Sequence, residues 1–283
     1  MKGLFALVIS LAVFSVSANE ISFQHIRSAT AKVTYGDTTF LIDPMLAKEG
    51  TYDGFSGFHN DHLRNPLTEL PLNIDDVVAT VDAVIVTHTH SDHWNRVAQE
   101  VLPKSMPIFV QNANDAERIT KQGFTDVRVL TDGQAFQGVR LYKTGGQHGT
   151  DLLYAIPSLA RGLGEVMGVV FSAPNAPTLY VAGDTIWRPE VEQAITTHNP
   201  DVIVLNTGAG KLKAFPDNPI LMSKEDTLVA AQLAPDAKIV AVHMDALHHM
   251  TVSRAQLREY LVENKLGERV DVPEDGDTLR FSQ

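Results

Sequence analysis

Short apolar runs rich in β-branched residues alternate along the chain with polar, glycine-bearing breaks. Runs at 31–35, 38–42, 83–87, 108–110, 127–130 and 139–144 predict strands, as do 166–172, 178–182, 202–205 and 239–242. Gly36-Asp37, between the first two, reads as a hairpin turn. Helical periodicity appears between the later strands. Ser223-Lys224-Glu225-Asp226 has the form of a capping box opening a helix to about Ala234. Ser253-Arg254-Ala255-Gln256 opens another, with Leu257, Tyr260 and Leu261 on one face. Residues 114–122 and 189–198 are further helices, the second with Pro189 in its first turn. The order predicts an α/β protein in which helices pack outside two sheets. Two long segments break the rhythm, 46–75 and 149–164. They are expected to be functional loops.

The first twenty residues follow a different pattern. One lysine precedes an apolar run from Leu4 to Val16, and small residues follow at Ser17 and Ala18. That is the layout of a secretory signal peptide, residues 1–18, cleaved after Ala18. The run is shorter than the roughly 20 residues a membrane span needs. What remains, 19–283, is expected to be one domain, exported to the periplasm or secreted, with no membrane attachment after cleavage.

Composition changes this picture little. At 44 % hydrophobic and 20 % charged, the 283 residues are those of a globular protein. Cysteine is absent, which fits an oxidising compartment and leaves only imidazole and carboxylate as strong metal ligands. A net charge of −11 argues against nucleic acid as a partner.

Candidate chemistry sits where strands end. "THTHSDH" places His88, His90, Asp92 and His93 directly after the run at 83–87. On an extended strand end His88 and His90 share a side, so both imidazoles can reach one ion. Asp92 and His93 can reach a second point as the chain turns. A bare His-x-His is weak evidence, but this density of ligands is costly to assemble without a metal. His148 follows the strand ending at Thr144, Asp184 follows 178–182, and His243 closes 239–242. Strands sharing one edge would bring all of these together.

His-x-His-x-Asp-His, a glycine-flanked histidine, "AGDT" and a strand-end histidine, in that order, resemble the metallo-β-lactamase superfamily. "FLIDP" at 40–44 resembles its first motif, and the likeness covers nearly all of the mature chain. It implies an αββα sandwich of two mixed sheets with helices outside and the site at one sheet edge. It further implies that His88, His90 and His148 hold one metal, and Asp92, His93 and His243 a second. Asp184 would bridge the two, and Asp43 would support the site without binding metal. "AGDT" and "VHMDA" look most like the ascorbate-phosphate-lactonase-like branch.

Two divalent ions sharing a carboxylate can hold a hydroxide nucleophile at neutral pH. Zinc suits the imidazoles, and manganese or iron(II) remains compatible with the carboxylates. Asp92 could also orient the hydroxide. His248 and His249, in "DALHHM", are candidate proton donors, as are His59, His62 and Tyr52 in the 46–75 segment. Trp94 and Trp187 are expected to pack near the site, and His25 and His198 to be structural. The expected function is hydrolysis of a small ester, a lactone or phosphodiester. The alternatives are a β-lactam hydrolase and a metal-holding binding protein without turnover.

Overall fold

The computed structural model describes residues 20–282. The expected signal peptide at 1–18 lies outside them. Among the described residues no helix is long and apolar enough to cross a membrane.

The first sheet contains β1 (Glu20–Arg27), β2 (Thr30–Tyr35), β3 (Thr38–Ile42), β4 (Ala83–Val86), β5 (Ile108–Val110) and β6 (Val127–Val129), side by side. The C-terminal strand β16 (Thr278–Ser282) pairs antiparallel with β1 and closes the other edge. From β1 to β3 the pairing is antiparallel, and from β3 to β6 it is parallel. The β2–β3 turn is the predicted hairpin: Tyr35 faces Thr38, and Gly36 takes the positive φ that this turn needs.

The second sheet contains β7 (Gln134–Phe136), β8 (Val139–Thr144), β9 (Gly168–Ser172), β10 (Leu179–Val181) and β11 (Val202–Asn206). It ends with β14 (Lys238–Val242) and β15 (Val270–Asp271), while β12 (Lys211–Leu212) and β13 (Phe215–Pro219) form a separate hairpin. Its β7–β10 half is antiparallel and its β10–β15 half parallel. Two mixed sheets with helices outside is the expected fold.

Residue alternation decides which layer each side chain joins. In β4, Ile85 enters the core between the sheets with Phe40, Phe171, Val181 and Val242. Val84 and Val86 point the other way, into the layer holding Val77 of α1 (Ile74–Val78), Ala98 of α2 (Arg96–Val101) and Ile119 of α3 (Ala113–Lys121). Such a strand is apolar on both faces because helices and the other sheet cover it. The second sheet's outer face, with Tyr180, Ile203 and Ile239, packs against three helices. These are α6 (Pro189–His198), α7 (Lys224–Leu233) and α8 (Arg254–Glu263). Both predicted capping boxes close, Ser223 with Asp226 and Ser253 with Gln256.

One expectation changes, and two strands are added. The segment 149–164 is not a loop: it folds into α4 (Asp151–Tyr154) and α5 (Pro157–Leu163), seated on Leu153 and Leu163. Strands β1 and β16, which sequence patterning leaves unassigned, form an edge by pairing the two ends of the described chain. The segment after β3 is irregular up to α1, and the buried Arg27 side chain fastens it. Its Nη2 donates to the carbonyls of Met45 and Ala47, and its Nη1 to that of Thr68. His25, as expected, is structural, with ring nitrogens 3.0 Å from the Ser28 carbonyl and 3.2 Å from that of Glu274.

Candidate metal centre

Asp43 leaves β3 with a positive φ and turns its carboxylate across the end of β4. It accepts the Thr87 backbone N–H at 2.8 Å and the Thr87 hydroxyl at 2.7 Å, which pins the start of the histidine-rich turn. The chain then closes on itself, the His93 and Trp94 N–H groups donating to the His90 carbonyl. Asn95 caps α2 by accepting from Ala98 N. From the second sheet, β8, β10 and β14 run into His148, Asp184 and His243. Gly183, with φ of 71°, lies so close to the Met167 carbonyl that a Cβ would not fit, which lets Asp184 turn inward. The two sheets therefore bring their strand ends to one edge.

The side chains gather in two groups, His88 with His90 and His148, and Asp92 with His93, Asp184 and His243. All are buried except the half-buried His90. Their outer hydrogen bonds assign the tautomers. Thr87 Oγ1, already donating to Asp43, accepts from His88 Nδ1 at 3.2 Å, and the Gly162 carbonyl accepts from His90 Nε2 at 2.9 Å. The Ile220 carbonyl accepts from His148 Nδ1 at 2.9 Å, and Asp43 Oδ2 accepts from His93 Nδ1 at 2.9 Å. His243 Nδ1 lies 3.2 Å from Ser28 Oγ.

The remaining nitrogens then face one another as lone pairs. His88 Nε2 is 2.9 Å from His90 Nδ1, and His93 Nε2 is 3.2 Å from His243 Nε2 and 3.0 Å from Asp184 Oδ2. Lone pairs and carboxylate oxygens crowd this closely only around positive charge, so the donor set fits divalent cations. Asp184 Oδ2 also lies 3.8 Å from His148 Nε2, which places this carboxylate between the two groups. Its other oxygen accepts from Asn206 Nδ2 at 2.6 Å.

Electrostatics agree with this geometry. Burial and the neighbouring imidazolium charges hold His88 well below its ordinary pKa, and burial brings His148 down to about 4, so both imidazoles are neutral. Burial alone would raise Asp184, but His93 and His243 outweigh it and hold its carboxyl well below the usual range. His93 is pushed up against its own burial by Asp184, Asp43 and Asp92. Without metal, a proton there supplies the missing charge.

A cavity of about 190 Å³ opens over Asp92, His90 and His148. Its other walls are Phe55, Phe58, Leu163, Ile220 and His249, and no lysine or arginine lines it. A larger polar groove of about 700 Å³ shares Gly162, Leu163 and His90 with it and also reaches His88, with Arg118, Arg161, Asp115 and Glu165 on its walls. The smaller cavity is the better substrate site, being apolar with a few convergent polar groups.

The proton-donor candidates separate here. His249 lines the cavity. His248 does not serve as a donor to substrate: its Nδ1 donates to the His59 carbonyl at 2.6 Å, and its Nε2 accepts from Phe55 N at 2.8 Å. It clamps the 46–75 segment instead. His59 and His62 are exposed, and Tyr52 lies against the α2 backbone at Arg96. Trp94 is buried with α2 and bonds Gln122, and Trp187 packs on the second sheet's outer layer. The aromatic walls Phe55 and Phe58 escape sequence reasoning because nothing periodic marks them. Asn206 was findable: like the other site residues, it closes an apolar strand.

Two facing mixed sheets with a buried histidine–aspartate centre at their common edge define a metal-dependent hydrolase of the metallo-β-lactamase fold. The chain belongs to the family described as Beta-lactamase superfamily domain, which matches residues 38–244. It is 42 % identical to the UPF0173 protein YddR of Bacillus subtilis (strain 168), over 92 % of this chain and 100 % of that one. A possible metal-dependent hydrolase from Veillonella parvula DSM 2008 superimposes with a TM-score of 0.90 at 47 % identity, covering 91 % of this chain and 98 % of its own. An isothiocyanate hydrolase from Delia radicum gut bacteria does so with a TM-score of 0.89 at 43 % identity, covering 93 % and 100 %.

Proposed function

We propose that this protein is a two-metal hydrolase of small, uncharged electrophiles, and that its reacting group is the isothiocyanate, R–N=C=S. The observation that carries this is the cavity: an apolar, partly aromatic chamber without a cation, open directly onto both ligand groups. The full-length similarity to an isothiocyanate hydrolase supports it. A phosphodiester, the alternative that sequence suggests alongside a lactone, would find its charge received by the ions alone in this chamber, since Arg118 and Arg161 line only the adjoining groove, and its two substituents would have to fit the small apolar space. A lactone has no such objection and remains the second reading, since its carbonyl carbon invites the same attack.

His88, His90 and His148 would hold one ion, and Asp92, His93 and His243 the other, with Asp184 between them. When bound, divalent ions, zinc by the imidazole count, make water nucleophilic at neutral pH and draw electrons from the atom under attack. The chain's own residues do the rest. Asp92 reaches the cavity and orients the attacking water, while Phe55, Phe58, Leu163 and Ile220 hold the substituent R and keep bulk water out. Water adds across the heterocumulene to give a thiocarbamic acid, which splits into the amine R–NH2 and carbonyl sulfide. In this reading the protein acts outside the cytoplasm, a proposal that rests on the signal-peptide layout of residues 1–18.

The test is elemental analysis of protein purified without chelator, with turnover measured on the same sample. The substrates are allyl isothiocyanate, γ-butyrolactone, bis(p-nitrophenyl) phosphate and a β-lactam. About two equivalents of zinc with release of allylamine is the expected result. Lactone turnover without amine release would transfer the reading to the lactone. Metal-loaded protein inert to all four would be a metal-holding protein and would end the hydrolytic assignment of this cavity.

A further inference from the structure

His249 is unlike the other imidazoles at this centre. His88, His90, His93, His148, His243 and His248 each have hydrogen-bond partners. His249 is 3 % exposed, its Nδ1 is buried without a partner, and its Nε2 has none among the described residues. A buried, unsatisfied polar group costs stability and calls for a reason. Its ring is held in place all the same. Phe55 and Phe58 meet it nearly edge to face, with centroids 5.3 and 5.4 Å away, and a Cβ on Gly210 would lie only 3.0 Å from its Cδ2. It borders the same cavity as Asp92 and His148. A rigid imidazole with no protein partner, on the wall of the reaction chamber, is arranged for a ligand.

We propose that His249 is a catalytic residue that donates a hydrogen bond to the substrate heteroatom on which negative charge develops. The inference rests on the hydrolytic reading of the cavity. When water attacks the carbon of R–N=C=S, the C–O bond forms and an electron pair moves onto nitrogen and sulfur. Both protons of the water end on the amine nitrogen, the C–N bond breaks, and the carbon leaves as O=C=S. No proton from His249 is consumed. A fixed N–H aimed at the developing charge lowers the barrier because it needs no reorganisation during the reaction.

Its surroundings favour the neutral form. Burial lowers its pKa to about 3, opposed chiefly by Asp92 and reinforced by His243, His248 and His148, the titratable groups that face it. An imidazole in that state is a hydrogen-bond donor at every working pH and an unsuitable proton-transferring acid.

The test compares His249→Phe, His249→Gln and Gly210→Ala, each checked for zinc content and melting temperature. With allyl isothiocyanate, His249→Phe should lower kcat about 100-fold with KM little changed, the loss typical of one removed donor. His249→Gln, which restores an N–H, should recover about tenfold of that loss. Gly210→Ala keeps the histidine but displaces its ring, and should lower kcat with zinc retained. In the zinc-loaded wild-type protein, the side-chain nitrogen resonances of His249 should stay those of a neutral ring from pH 8 down to pH 5. Zinc-loaded His249→Phe within about threefold of wild-type kcat would overturn the proposal, and so would an unchanged Gly210→Ala. Protonation of His249 between pH 5 and 8 would overturn it independently of any substrate. Wild-type protein that hydrolyses the lactone and not the isothiocyanate refutes the substrate reading alone. The same variants then decide the role of His249 on the lactone.

Discussion

Asp43 Oδ2 accepts from His93 Nδ1 at 2.9 Å while the same carboxylate holds Thr87 through two hydrogen bonds. One side chain thus fixes the tautomer of a proposed metal ligand and the start of the turn that carries three others. Its partners are buried, so the geometry is not traded against water.

Asp43→Asn should therefore weaken metal binding without removing a ligand. An amide can accept from Thr87 but cannot support His93 with a charge, and outer partners of this kind are typically worth about 10–100-fold in metal affinity. Zinc competition against a fluorescent chelator measures it. Wild-type affinity in Asp43→Asn would mean that His93 is oriented by packing alone.

Gly183→Ala should destabilise the protein by more than about 2 kcal/mol, because the position combines φ of 71° with a Met167 carbonyl where the new methyl would sit. Since the adjacent Asp184 lies between the two ligand groups, zinc content should fall as well. Urea unfolding with parallel elemental analysis reads both. A variant as stable as wild type would show that the backbone here relaxes freely.

The centre was more legible in the sequence than its cavity, for a physical reason. Candidate ligands such as His88, His148, Asp184 and His243 follow the ends of apolar strands, and strands announce themselves by short-range pattern. Phe55, Phe58 and Ile220 have no such marker. They meet because Arg27 and His248 fasten an irregular segment over the strand ends, through contacts between residues far apart in the chain. The β1–β16 edge was hidden for the same reason, since pairing of the two ends is a long-range event. The segment 149–164 misleads through its glycines: Gly149 and Gly164 bound α4 and α5 at positive φ and do not mark a loop.

Buried His249 should make the metal-free protein less stable in acid. Its folded-state pKa, about 3, lies below the ordinary 6.5, so on acidification the unfolded chain takes up a proton that the folded one refuses. Stability is unaffected above about pH 6.5 and declines from there toward pH 3. His249→Phe removes that proton-binding difference. Between pH 6.5 and 4 the melting temperature of the metal-free variant should fall less steeply than that of metal-free wild type. Parallel curves would show that His249 titrates alike in both states.

The last prediction concerns His248, whose ring ties the cavity wall to the turn that follows His243. Its Nε2 can accept from Phe55 N only while unprotonated, and burial, the main cause, keeps its pKa below the ordinary 6.5. The clamp is therefore closed at neutral pH and opens as acid protonates the ring. His248→Ala removes it at every pH, leaving the Phe55 N–H and the His59 carbonyl without their partner. Two hydrogen bonds of about 1 kcal/mol each correspond to roughly a tenfold or larger rise in KM, if wall order is what they hold. Because His248 does not line the cavity and is not among the clustered ligands, kcat and zinc content should change much less. Protection of residues 55–59 against hydrogen exchange, corrected for the intrinsic pH dependence of exchange, should fall in the variant at neutral pH, and in wild type only on acidification. Unchanged exchange together with an unchanged KM would show that Phe55 and Phe58 hold the wall by packing, with no need of the clamp.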